Sequence, residues 1–262
     1  MNARFVVPLL FPLIVSAQPA AQENVHRTLY FKHTGSVQHF QEIATVIRAI
    51  ADIRQLSVDA TVKALLLHGT AGQIGLAEWL FSRMDQAPNR QSQLGQDMAR
   101  QELRLSGEDE NVVRVFYLAN TEGAQNLQEI ATLVRSMTDV RRLFTYTALN
   151  AITLRGSAEQ IRLAEWLVKQ VDLSIDQVAV PQPGLTPDPY RYPGPDGGEN
   201  FLRVFYLPQI ETRQHLQEIA AHVRTTTAVR RLFTYNAIRA MAVRGTVEQI
   251  ALADRMIRER QR

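Results

Sequence analysis

Carboxylates and histidines are the side chains in this sequence with the greatest capacity for acid–base chemistry and metal binding. The recurrent carboxylates lie inside predicted helices, beside arginines or apolar residues, at Glu42, Glu129, Glu218, Glu78, Glu165 and Asp254. No H-E-x-x-H, G-x-S-x-G, P-loop or dinucleotide-binding pattern accompanies them. We interpret these carboxylates as solvated structural charges, and we predict that the protein is not an enzyme and uses no cofactor.

The six histidines also lack the spacing of a metal site. His39 and His215 occupy equivalent positions in two repeats of the sequence, but Asn126 stands at that position in the middle repeat. We therefore predict no metal site. The chain contains no cysteine, which excludes disulfides, thiol catalysis and cysteine-type zinc sites.

Arginine and aromatic residues that alternate along one strand are the best candidates for recognition. The string "RRLFTY" occupies residues 141–146 and returns at residues 230–235. In a strand, alternation places Arg142, Phe144 and Tyr146 on one side of the sheet. Leu143 and Thr145 then lie on the other side. Because Tyr, Phe and Arg are enriched in interfaces, this Arg-Phe-Tyr row has the composition of an interaction surface.

The same row recurs in the third repeat but not in the first, which has Gln55, Ser57 and Asp59 there. An arginine on the adjacent strand completes each copy. The predicted partner-binding residues are Arg142, Phe144, Tyr146, Arg155, Arg231, Phe233, Tyr235 and Arg244. Three interpretations stay open: the surface binds an external ligand, it packs against another module or subunit, or a linker or neighbouring module simply covers it.

The elements that must position these residues occur three times along the sequence. Aligning Thr28 with Val115, and Val115 with Val204, superposes three units of about 60 residues without gaps. Each unit has the pattern of a strand, an amphipathic helix, two strands joined by a short turn, and a second helix. In the second unit, Ser157 and Gln160 form a predicted capping box at the start of that second helix.

This order of elements predicts an α+β protein made of three tandem βαββα modules. A right-handed crossover places the first and second strands parallel, and the third strand then fits between them in the antiparallel sense. Each module is expected to be a three-stranded sheet with both helices on one face, of the KH-like or ring-building type. The leucine side of "RRLFTY" faces those helices, and the Arg-Phe-Tyr row lies on the face without helices.

The predicted boundaries follow the repeat and the composition of the segments between its copies. They are a signal peptide at 1–20, module 1 at 26–86, a linker at 87–110, module 2 at 111–173, a Pro/Gly-rich linker at 174–200 and module 3 at 201–262. The second linker is expected to be extended and weakly ordered because of its proline and glycine content. The first linker has fewer breakers and is compatible with a short helix.

The N-terminus has the pattern of a secretory signal peptide. Arg4 precedes an apolar run at residues 5–15, and small residues follow at positions that suit cleavage near Ala17 or Ala20. The apolar run is too short to span a bilayer, which needs about 20 residues. We therefore expect a periplasmic or secreted protein without a transmembrane segment in its mature chain.

The repeated pattern resembles the N-domains of bacterial secretins, the NolW-like or ring-building modules. The residues that carry the resemblance are a turn glycine, a hydroxylic residue, spaced apolar residues and a closing aspartate. They are Leu149, Ala151, Ile152, Leu154, Gly156, Ser157, Ile161 and Asp172, with Asp85 in the first unit. The resemblance implies periplasmic modules that pack side by side into rings around an export channel and bind other secretion or pilus components.

Secretins continue into a large outer-membrane pore domain, whereas this sequence ends twelve residues after Ile250. We therefore expect an accessory or stand-alone scaffold rather than the pore itself. The predicted function is that of an exported, non-enzymatic assembly protein of a type II secretion or type IV pilus system. Its partners would be other proteins of that system or further copies of the chain.

Two alternative functions use the positive charge of the chain, which is +3. One is a KH-like nucleic-acid-binding protein, and the other is a module that binds an anionic envelope surface. The KH clamp is a G-x-x-G between two helices. Here Gly69 to Gly72 lies between a strand and a helix and is not repeated, so the sequence disfavours nucleic acid as the partner.

Overall fold

Three β-sheets follow one another along the chain, and two long helices cover one face of each sheet. The computed structural model describes residues 24–87, 101–107, 112–179, 187–193 and 199–260. The predicted signal peptide lies outside these residues. Within them, no helix is both long enough and apolar enough to cross a membrane. The mixed α+β class predicted from the sequence is confirmed.

The elements of the three units are as follows. The first unit contains β1 (Asn24–Tyr30), α1 (Val37–Ile50), β2 (Gln55–Asp59), β3 (Ala64–Thr70) and α2 (Ala71–Met84). The second contains β4 (Glu102–Arg104), β5 (Val112–Tyr117), α3 (Gly123–Thr138), β6 (Arg142–Tyr146), a 3₁₀ turn (Thr147–Leu149), β7 (Ala151–Gly156) and α4 (Ala158–Val171). The third contains α5 (Ile175–Ala179), β8 (Tyr190–Pro193), β9 (Glu199–Tyr206), α6 (Arg213–Thr227), β10 (Arg231–Tyr235), β11 (Ala240–Gly245) and α7 (Val247–Arg260).

All neighbouring strands in the three sheets are antiparallel. The strand orders are β1-β3-β2, β4-β5-β7-β6 and β8-β9-β11-β10. The last strand of each unit therefore lies between the two strands that the crossover helix connects. The second and third sheets have four strands, so the prediction of three strands in every module was wrong. Their extra strands, β4 and β8, come from the two segments that were predicted to be linkers.

Packing against neighbouring elements stabilises the described parts of these two segments. Leu103 and Leu105 pack against the hydrophobic core of the first unit. Tyr192 is buried, and the ring of Tyr190 lies 5.5 Å from that of Trp166 on α4. The second segment also forms the short helix α5 and is therefore not simply extended. The first segment, compatible with a short helix by its sequence, forms strand β4 where it is described, and its residues 88–100 and 108–110 lie outside the described part of the chain.

The capping box predicted at Ser157 and Gln160 is confirmed, and the second helix of each other unit begins with the same arrangement. The Ser157 hydroxyl accepts from the Gln160 amide at 3.2 Å, and the Ser157 amide donates to Gln160 Oε1 at 3.0 Å. A Cβ at Gly156 would lie only 2.8 Å from that Oε1 atom, so glycine is needed for the side chain to reach back. Gln160 Nε2 also donates to the Thr138 carbonyl at 3.3 Å, which connects α4 to the end of α3. The other two boxes start at Thr70 and Thr246.

In the first two units, an aspartate just after the second long helix binds the loop that precedes the first long helix. Asp85 is 6% exposed and accepts from the backbone amides of Lys32, His33 and Thr34 at 2.7 to 3.0 Å. Asp172 accepts from the equivalent loop of the second unit. A buried carboxylate with several amide donors stabilises the closed unit, since hydrogen bonds to charged groups are the stronger ones.

Replacing Asp85 with alanine should lower the free energy of unfolding by about 3 kcal/mol, because three backbone donors lose a charged acceptor. The measurement is a urea unfolding curve. Asp176→Ala, at an exposed position on α5, is the matched control and should change the stability by less than about 0.5 kcal/mol. Equal effects of the two substitutions would contradict this role for Asp85.

Candidate interaction surface

The helix-free face of the second sheet packs against the helices of the first unit. Val113, Val115 and Tyr117 of β5 belong to the same hydrophobic cluster as the core of the first unit, as does Tyr146 of β6. The third sheet repeats this arrangement on the second unit. There the clustered residues are Leu202, Val204, Tyr206, Tyr235, Ile238, Ala240 and Ala242. We call each of these two surfaces an intermodule contact.

The Arg-Phe-Tyr row lies in these contacts. Leu143 belongs to the core of its own unit, and Thr145 accepts from Gln128 Nε2 on α3 at 2.6 Å. Phe144 and Tyr146 instead pack against the first unit. The alternation expected from the sequence therefore holds, and the preceding module covers the row. Phe233 and Tyr235 have the equivalent place on the second unit. Binding of an external partner by these residues stays a prediction.

Arginines from the second and third sheets reach the carboxyl-terminal end of a helix in the preceding unit. Arg155 is 6% exposed and donates to the carbonyl of Ile50, the last residue of α1, at 3.0 Å. Arg142 forms an ion pair with Asp52 at 3.3 Å. The carbonyls at a helix end lack partners within the helix and carry a partial negative charge, so they favour a cation. Burial lowers the pKa of Arg155, while Asp52 acts in the opposite direction.

The contact between the second and third units uses the equivalent arginines. Arg244 donates to the Met137 carbonyl at 2.7 Å and pairs with Asp139 at 2.6 Å. Arg231 contacts the Ser136 carbonyl and Asp139, each at 2.5 Å. All four predicted arginines therefore bind the end of α1 or α3 or the residues that follow it. The same charge arrangement defines the position of each sheet on the unit before it.

A helix carboxylate in each contact accepts from the turn after the second strand. Glu42 accepts from the amide of Thr147 at 2.9 Å and from its hydroxyl at 2.8 Å. Glu129 accepts from the amide and side chain of Asn236 at 3.4 and 3.3 Å. The prediction that these two carboxylates are solvated charges was wrong. Each is half-buried, because the sheet of the next unit lies over it.

The carboxylates predicted near the second helices are also paired rather than solvated. Arg114 lies 3.6 Å from Glu165, and Arg203 lies 3.1 Å from Asp254. Glu78 pairs with Arg27 in the same way in the first unit. These ion pairs connect strands β1, β5 and β9 to helices α2, α4 and α7 of the same units and do not lie in the intermodule contacts.

Tyrosines were not among the predicted residues of the adjacent strand, yet they complete each contact. The Tyr117 hydroxyl donates to the Arg83 carbonyl at 2.7 Å, and the Tyr206 hydroxyl donates to the Gln170 carbonyl at 2.8 Å. Burial raises the pKa of Tyr146, and burial also raises the pKa of Tyr235 to about 12. Below pH 10 these side chains are neutral, which suits their position between two hydrophobic layers.

In the described ranges, no three His, Asp or Glu side chains lie close enough together to bind a metal ion. His39 instead has an aromatic neighbour: the centroids of the His39 and Tyr146 rings lie 6.0 Å apart, with the two rings nearly perpendicular. His39 therefore belongs to the first intermodule contact. His215, at the equivalent position of the third unit, is exposed.

Comparisons with known proteins find similarity only at the level of solved structures. The chain matches no protein-family model and no curated protein. ExeD from Aeromonas hydrophila is 12% identical with a TM-score of 0.21, and the alignment covers 91% of this chain and 41% of ExeD. The pilotin–secretin AspS–GspD complex of ETEC is 15% identical with a TM-score of 0.21, with 91% of this chain and 38% of that chain covered.

The N-terminal domain of the secretin XcpQ from Pseudomonas aeruginosa gives a third match. It is 12% identical with a TM-score of 0.26, and 90% of this chain and 99% of that domain are covered. The chain spans less than half of the first two proteins. The resemblance to secretin N-domains noted in the sequence is thus found again among solved structures, at identities and TM-scores that assign no activity.

Replacing Arg155 with alanine should lower the free energy of unfolding by about 3 kcal/mol, because the buried carbonyl of Ile50 loses a charged donor. Thermal and urea unfolding measure this loss. Arg141 is exposed one residue before the row, so Arg141→Ala is the control and should be nearly neutral. A stability change at Arg155 no larger than that at Arg141 would contradict its role in the contact.

Proposed function

We propose that the chain is an exported, non-enzymatic scaffold that contributes three stacked modules to an envelope assembly of the secretion or pilus type. One observation supports this most: the residues best suited to chemistry and recognition bind neighbouring modules. Arg142, Tyr146 and Glu42 lie in one intermodule contact, and Arg231, Arg244 and their partners lie in the other. Such a chain holds its three modules in fixed relative positions, and a structural component of an assembly needs fixed positions for its binding surfaces.

The intermodule contacts disfavour the nucleic-acid alternative. Open sheet faces with aromatic residues are the surfaces on which such proteins stack bases. Here the aromatic faces of the second and third sheets lie against helices. Part of the basic charge of the third unit is also neutralised, since Arg231 and Arg244 pair with Asp139 and Arg203 pairs with Asp254.

An accessory role in the periplasm is the form of this function that we favour. The signal-like N-terminus and the absence of cysteine agree with export into that compartment. The partners would then be other proteins of the assembly, which bind the flanks of the stack where helices α2, α4 and α7 remain partly exposed. Self-association of the chain along these flanks is the second way to build such an assembly.

Cell fractionation combined with site-specific photo-crosslinking tests the proposal. The chain expressed in its native host should be recovered from the periplasm, processed near Ala17 or Ala20. A photo-crosslinking residue at the exposed Arg162 of α4 should capture a secretion or pilus protein, or a second copy of the chain.

Two results would contradict the proposal. One is recovery of the unprocessed chain from the cytoplasm. The other is a crosslink between nucleic acid and the photo-crosslinking residue that replaces Arg162. A photo-crosslinking residue at Phe144 serves as the control, because it should react only with the first unit of the same chain.

A further inference from the structure

The outer sheet face of the first unit differs from the two sheet faces that form contacts. Its positions correspond to those of the covered faces, but polar residues replace several of the apolar ones. His26, Ser57 and Asp59 stand where the second unit has Val113, Phe144 and Tyr146. His26 and Ser57 are exposed and Asp59 is half-buried. Tyr30 and Leu66 remain exposed on this face, at 60% and 44%. The Phe-Tyr pair and the two valines that the intermodule contacts bury are absent from it.

The arginines that bind the helix ends are also missing from this outer face. Gln55 and His68 occupy the positions of Arg142 and Arg155. Their side chains lie together, since His68 Nδ1 and Gln55 Oε1 are hydrogen-bonded and the His68 ring stacks on His26 with ring centroids 4.2 Å apart. These side chains therefore contact one another rather than a helix end of another unit.

The outer helical face of the third unit shows the matching change. Val46 and Leu133 are buried under the next sheet, whereas His222 at the equivalent position of α6 is exposed. Ile50 and Met137 are likewise buried, and their equivalent is Thr226, which is exposed. Covering this surface with another sheet would dehydrate polar side chains that have no partners there, at a cost of about 1–3 kcal/mol for each.

The acceptor for the arginines is missing from the third unit as well. Asp52 and Asp139 follow the first helix of the first and second units, and Ala228 follows it in the third. Trp166 contacts the strand that enters the next sheet, and its equivalent in the third unit is the exposed Arg255. Both members of the intermodule ion pair are thus absent, one at each end of the stack.

We infer that the two outer faces of the stack are caps that prevent a second copy of the chain from adding head to tail. A head-to-tail contact between copies would be heterologous and would produce a ring or an open filament of many copies. Repeat proteins stay soluble when their terminal repeats carry polar outer faces. The polar groups on these two outer faces have the same effect here. Partners and further copies must therefore use the flanks, and this inference does not depend on the cellular function proposed above.

Cysteine crosslinking tests the inference on a nearly natural chain, because the protein has no cysteine of its own. Gln55→Cys combined with Ala228→Cys would bring the two thiols together in any head-to-tail contact. We expect this variant to remain a single chain after treatment with a short bis-maleimide. A ladder of crosslinked multimers would overturn the inference.

Two control variants measure the crosslinking expected of a true contact and the background expected of random collisions. Asp52→Cys with Arg142→Cys places the thiols in an existing contact, where the natural side chains lie 3.3 Å apart, and should crosslink within one chain. Gln41→Cys with Asp176→Cys, at exposed positions away from the proposed flanks, measures the background of random collisions. The terminal pair should give no more multimers than this background.

Restoring the missing residues should create the contact that the caps prevent. One variant carries the sheet-face residues of the second unit, and the other carries its helical-face residues. The substitutions are Q55R, S57F, D59Y and H68R in the first variant and H222L, T226M and A228D in the second. An equimolar mixture should double the weight-average mass in analytical ultracentrifugation, whereas each variant alone should remain monomeric. If both variants fold by circular dichroism and the mixture stays monomeric, the inference is wrong.

Discussion

The structure depends on one contact, in which the bare face of a β-sheet lies on two helices of the preceding unit. A sheet with two helices is a thin structure of about 60 residues, a size at which folding buries only about 60% of the chain surface. The next sheet adds a third layer, so that helices α1 and α3 are buried from both sides. The stability of each unit is therefore connected to the presence of its neighbour.

Apolar and charged residues have different roles in this contact. Phe144 and Tyr146 remove apolar surface from water but allow some sliding between layers, since hydrophobic burial has no direction. Arg155 and Arg244 fix the position, because each buried guanidinium must meet the carbonyl at a helix end. An uncompensated buried charge is costly, and this cost excludes other alignments of the stack. The aromatic residues thus supply stability and the arginines supply specificity.

The sequence predicted those features that depend on nearby residues. The side of β6 on which Leu143 lies follows from alternation, and the start of α4 follows from the spacing of Ser157 and Gln160. Strands β4 and β8 could not be predicted, because three or four residues form a strand only when a partner strand and a packing site exist. Glu42 was misread for the same reason: Thr147, its partner, lies 105 positions further along the chain.

Differences among the three repeats now have a physical explanation. The second unit has neighbours on both sides, and it carries both the Arg-Phe-Tyr row and Asp139. The first unit keeps only the helical face with Asp52, and the third keeps only the sheet face with Arg231 and Arg244. Each repeat therefore has the residues that its place in the stack requires, and the exposed ends lack the paired arginines and aspartates of the contacts.

The central claim is that the modules form a single stack in solution, and a distance between the outer modules tests it most directly. Spin labels at Gln41→Cys on α1 and Thr225→Cys on α6, both exposed, can be introduced without competing thiols. Double electron–electron resonance should give one narrow distance distribution, because both intermodule contacts hold the units in place. A broad or multiple distribution would show that the modules move independently and would contradict the account.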